Sequence, residues 1–92
     1  MARPTQRTIV ESDLFRASKE TLPVTCERLD EILDGILWVL RRRPEFFPNI
    51  PGTTLYRAKT EQFPDLPVFI VWFRFNENTV TLELIEHWTP DE

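Results

Sequence analysis

The sequence predicts an α+β domain, with an N-terminal strand and two helices packed on a small, largely antiparallel sheet. Three observations carry that prediction. Leu29, Ile32, Leu33, Ile36, Leu37 and Leu40 recur at helical spacing and form one continuous apolar stripe. Three later runs, residues 54–60, 67–75 and 79–88, carry the β-branched and aromatic side chains that favour strands. The chain has 92 residues, 41% of them apolar and 12% aromatic, which suits one domain spanning 1–92 with a real core and little stability to spare.

The elements follow in order. "RTIV", residues 7–10, reads as a first or edge strand. Ser12 and Asp13 then offer N-cap oxygens to a short helix, "LFRASKE", closed by "TLP". The second helix is expected from about Pro23 through "VTCERLDEILDGILWVLRRR". Its acidic residues come early and Arg41, Arg42 and Arg43 come late, complementing the helix dipole. Pro44, Pro48 and Pro51 make "RPEFFPNIPGT" an irregular connector, under which Phe46, Phe47 and Ile50 are expected to tuck their side chains.

The register of the last hairpin can be argued from its pattern. A two-residue loop at Glu77 and Asn78 pairs Phe75 with Val80, Phe73 with Leu82 and Val71 with Leu84, all apolar. A three-residue loop would set Phe75 against Thr79 and mix the two faces, which is disfavoured when one face is buried. The apolar face takes the long helix. The opposite face is then expected to hold Trp72 and Arg74, with Thr81, Glu83, Ile85 and His87 from the last strand. Tyr56 and Ala58 suit the core, which sends Arg57 and Lys59 outward to the same open face.

Charge narrows the function classes. Residues 1–60 hold ten cations and eight anions, whereas residues 61–92 hold one cation, Arg74, and seven anions. The formal net charge of −4 gives little general attraction for phosphate, so any anion binding has to be local. Arg57 and Lys59 read either as phosphate-holding groups or as solvated strand residues. Arg74 reads either as a catalytic cation or as a cross-strand ion pair with Glu83. His87 is the one histidine, and its ordinary titration range suits acid–base chemistry near neutral pH.

Trp38 falls at the margin of the helical stripe beside Gly35, as a cap on the core or as a docking spot. The lone cysteine, Cys26, excludes an internal disulfide and fits an inert helix residue in a reducing compartment. With two glycines and no P-loop, GxGxxG, GxSxG or HExxH, nothing supports a nucleotide cofactor, a metal centre or hydrolase chemistry. No segment approaches the roughly 20 apolar residues of a membrane span, so a cytoplasmic protein is expected.

The stretches "LDEILDGILWVLRRRPEFFPNIPGTTLYRAK" and "PVFIVWFRFNENTVTLELIEHW" carry a resemblance. Together with the order strand, helix pair, Pro-rich connector and three-strand sheet, they resemble the RelE/ParE superfamily of bacterial type II toxin–antitoxin toxins. The likeness covers roughly residues 8–88. It implies a cognate antitoxin as partner, with an acidic segment over the basic face, and as target either ribosome-bound mRNA or gyrase. A homodimer through the Trp38 helix margin is a further partner reading.

Carried over by position, Arg57 and Lys59 match the basic residues of the first sheet strand after the helices. His87 falls near the C-terminal His/Tyr position, and Arg74 lies at the far end of the middle strand. The resemblance thereby implies Arg57, Lys59, Arg74 and His87 as a catalytic set for ribosome-dependent mRNA cleavage. The middle-strand positions 68–71 read "VFIV", without the early arginine of RelE-like nucleases. That departure keeps a second reading open, a catalytically degenerate, non-toxic binding module of the same fold.

Overall fold

In the computed structural model, which describes residues 6–23 and 27–89, each element stands in the order its patterning predicts. Strand β1 is Thr8–Glu11, helix α1 Asp13–Glu20, helix α2 Leu29–Arg42, and a 3-10 turn follows at Pro44–Phe46. Strands β2 (Tyr56–Lys59), β3 (Val68–Phe75) and β4 (Thr79–Trp88) complete the chain. They form one four-stranded sheet in the order β1-β4-β3-β2. β1 runs parallel to β4, and the other two pairings are antiparallel. This is an α+β architecture.

Each boundary has a local cause. The Ser12 hydroxyl accepts the Phe15 amide at 3.0 Å, satisfying one of the orphan donors of the first turn of α1. α2 starts at Leu29, later than Pro23, because Glu27 and Arg28 form a turn and Arg28 brings no capping oxygen. Residues 24–26, with Cys26 among them, lie outside the described residues. α2 ends because Pro44 disfavours a helical Arg43, whose φ is −141° and ψ 60°. The β3–β4 turn closes through Asn76, whose side-chain oxygen accepts the amides of Asn78 and Thr79 at 2.8 and 2.9 Å.

Both helices cover one face of the sheet. Phe15 of α1 and Leu33, Ile36 and Leu40 of α2 meet Ala58, Phe69, Val71, Phe73, Val80, Leu82 and Ile85. Phe73 is the hub: its ring lies edge-on to Phe47 at 5.9 Å and stacked near Tyr56 at 5.7 Å. Burying a side chain of this kind contributes about 1.5–3 kcal/mol, so a few of them decide whether so small a domain folds. The connector differs from expectation in one residue. Phe47 packs against the core and Ile50 is half-buried, but Phe46 is 67% exposed. The 3-10 turn points its ring outward, where the Arg43 guanidinium sits 5.2 Å from the ring centroid.

The hairpin corrects the predicted register halfway along. Phe75 pairs with Val80 and Phe73 with Leu82, as the two-residue loop requires. Beyond Phe73 the register shifts: Trp72 pairs with Leu84, Val71 with Ile85 and Phe69 with His87. Glu83 is the extra residue of a β-bulge. The bulge reverses the facing of everything after it. Ile85 is buried in the core, Leu84 moves to the open face, and His87 joins the helix-bearing face.

Helix α1 explains why the bulge sits there. β1 pairs with β4 only as far as Leu82, so the outer edge of β4 loses its strand partner from Glu83 onward. α1 takes over that edge. The Ser12 hydroxyl donates to the Glu83 carbonyl at 3.3 Å, and the Ser18 hydroxyl accepts the Ile85 amide at 3.0 Å. Backbone groups that the bulge would leave unpaired are thereby satisfied by side chains.

Candidate functional site

The sheet face away from the helices follows from the register. β2 contributes Arg57 and Lys59, β3 contributes Val68, Ile70, Trp72 and Arg74, and β4 contributes Thr81, Leu84, Glu86 and Trp88. Among the described residues, both helices pack on the other face. Arg57 pairs with Trp72 and Lys59 with Ile70, so all three late cations share this face as expected. His87 does not. It pairs with Phe69, which is wholly buried beneath the helices, and its ring lies 6.0 Å from the Phe69 ring. The bulge at Glu83 has put the imidazole on the other side of the sheet from Arg57, Lys59 and Arg74.

The three cations are not equivalent. The Arg74 guanidinium donates to the Glu83 carboxylate at 2.9 Å and to the Thr54 hydroxyl at 2.7 Å. The cross-strand pair that the sequence suggests is therefore formed, and the bulged Glu83 is its acceptor. The Lys59 ammonium lies 3.8 Å from the centroid of the Trp88 ring. Lys59 is on β2 and Trp88 on β4, so their contact crosses β3 and helps to roof Val68 and Ile70, both buried on a face without a helix. Arg57 is exposed, and among the described residues its side chain makes no hydrogen bond or ion pair. It is the cation on this face that is available to an incoming anion.

Beside Arg57, Trp72 is half-buried with its indole N–H shielded from solvent and without an acceptor. An unpaired buried donor of this kind costs about 1–3 kcal/mol, which an ordinary core position would not retain. The sequence pointed to Trp72 as a face residue but gave no sign of the orphaned N–H. Glu83 and Glu86 sit among the cations, so the face is a mixed-charge apolar platform with one free guanidinium.

Cleavage of RNA by a basic set needs cations around the scissile phosphate together with a group that moves the 2′-hydroxyl proton. On this chain the one histidine and the three cations are on opposite faces of a hydrogen-bonded sheet. Recognition without bond cleavage needs less: apolar groups at the surface, a polar rim and an unpaired charge, and this face offers the half-buried Trp72, Leu84 and Trp88 with Arg57 beside them.

Among the described residues no helix is long and apolar enough to cross a membrane. No family model, curated protein or solved structure matches the chain.

Proposed function

We propose that this chain is a RelE/ParE-like protein that acts by binding a macromolecule through its open sheet face, and not by cleaving RNA. The observation that carries the reading is the placement of His87 on the helix-bearing face while Arg57, Lys59 and Arg74 look out from the other. The order β1-α1-α2-β2-β3-β4, with the last three strands consecutive and antiparallel, supports the family reading. In that reading the target is gyrase or the ribosome with its mRNA, and an acidic antitoxin segment neutralises the protein at Arg57. The engagement of Arg74 by Glu83 and of Lys59 by Trp88 favours the related reading of a non-toxic binding module, in which the same face serves and growth is unaffected.

The test is induced expression in a bacterial host, with ribosome-bound mRNA examined for cuts. Growth arrest that Arg57→Glu relieves and His87→Ala does not, with intact mRNA, is the expected result. No arrest leaves the binding-module reading. Cleaved mRNA whose production needs His87 would refute both.

A further inference from the structure

The exposed face of α2 carries a self-complementary pattern. Glu31, Gly35, Trp38 and Arg42 follow one another at four, three and four residues, forming a straight stripe along the solvent side of the helix. Trp38 is 57% exposed, the largest apolar side chain of the helix left outside the core. The Arg42 guanidinium stacks on its ring at 3.9 Å and donates to the Trp38 carbonyl at 2.9 Å. Knob and charge are thus held together before any partner arrives.

The same stripe holds the matching half. A Cβ built on Gly35 would meet no heavy atom within 4 Å beyond its own turn of helix, so this position is a notch in the helix surface. The notch opens into a hollow of about 320 Å³, with Ile32, Ile36, Val39, Phe47 and Phe63 on its apolar side and Glu31, Lys59, Thr60 and Glu61 on its polar side. An indole entering it would lie on the apolar side, with its N–H within the polar one.

When a helix meets its own copy antiparallel across a two-fold axis, positions pair about a common centre. Setting Trp38 against Gly35 of the second copy places the centre between Ile36 and Leu37, near the middle of the Leu29–Arg42 helix. The same register sets Arg42 against Glu31 of the second copy, where it would share a carboxylate that Arg28 of that copy already holds at 2.6 Å, and the two-fold repeats both contacts. Knob meets notch and cation meets carboxylate in one arrangement, twice.

We propose that this chain forms a two-fold symmetric homodimer through antiparallel α2 helices, with the Trp38 indole of each copy seated in the Gly35 hollow of the other and Arg42 paired to Glu31 across the interface. The hollow shares Lys59 with the open sheet face, but Arg57 does not line it, so Arg57→Glu tests the function proposed above while leaving the dimer contacts in place.

Sedimentation velocity of the full chain over a concentration series tests it. Wild type is expected to move from monomer to dimer as concentration rises. Trp38→Ala is expected to stay monomeric. Gly35→Leu puts a bulky side chain into the notch, where its Cβ has open space, so it is expected to melt no lower than wild type and yet to remain monomeric. Arg42→Glu is expected to weaken the dimer by about tenfold or more, since it sets like charges face to face twice. Adding Glu31→Arg to it is expected to restore the affinity, because both pairs are then reversed together. A wild type that stays monomeric throughout, leaving the Trp38 face to some other protein, would overturn the proposal. So would a Gly35→Leu variant that dimerises as well as wild type, or a dimer indifferent to Trp38→Ala.

Discussion

The Ser18 hydroxyl accepts the Ile85 amide at 3.0 Å while donating to the Phe15 carbonyl at 2.9 Å, so one helix side chain stands in for a missing strand. Ser18→Ala removes that acceptor and leaves the amide of Ile85, a buried residue just beyond the bulge, unpaired. An unsatisfied backbone donor costs about 1–3 kcal/mol, a substantial part of a small domain's stability. Urea unfolding of the variant is expected to show a lower midpoint with an unchanged slope, because the loss is local and the buried surface is the same.

This bulge also marks where sequence reasoning stopped being sufficient. The "LELIEHW" run places Leu84 and Ile85 side by side, and alternation from Val80 and Leu82 selects Leu84, whereas one extra residue in the strand selects Ile85 with an equally apolar side chain. What chooses Ile85 is not in the strand. β1 ends at Glu11, α1 follows at once, and the serines of α1 meet β4 where the register shifts. His87 changes face as a consequence, although its own surroundings in the sequence say nothing about it. The α2 stripe, by contrast, was legible because six apolar residues at helical spacing have only one helical solution. Arg57, Lys59 and Arg74 were legible because they precede the bulge along the chain. Phe46 was misread because a Pro-rich connector gives no period from which to assign a facing.

Phe73 concentrates the aromatic packing of the core, with Phe47, Tyr56 and Phe75 around it. Phe73→Ala is expected to cost about 3–5 kcal/mol through lost burial and the cavity left among rigid neighbouring rings. Domains of this size have a total stability of about 5–15 kcal/mol. The variant is expected to unfold at a much lower denaturant concentration and to lose near-ultraviolet circular dichroism before wild type does. Phe73→Leu, which keeps most of the volume, should fall between the two.

The Arg74–Glu83 pair is formed but half-exposed, with the arginine side chain 49% accessible. Such a pair is worth about 0.2–1 kcal/mol at low ionic strength. Arg74→Ala is therefore expected to shift the unfolding midpoint only slightly, and the difference from wild type should shrink as salt is added. A large, salt-independent loss would mean that Arg74 holds the 54–60 segment in place through Thr54 and not chiefly through the ion pair.

Gly35 lies in the interior of α2, with a negative φ and open space where a Cβ would stand. Glycine there costs the helix about 0.5–1 kcal/mol relative to alanine, because the unfolded chain is freer and the helix gains no side chain in return. Gly35→Ala is expected to recover that amount, raising the melting temperature by about 4–8 °C per kcal/mol in a domain of this size. The melt should be run dilute, where a self-association equilibrium contributes little to the midpoint. A melting temperature unchanged or lowered in that dilute regime would show that the helix around residue 35 needs glycine for its own backbone, contrary to its geometry. A gain in the dilute melt accompanied by a loss at high concentration would instead show a notch kept open for a side chain from another molecule.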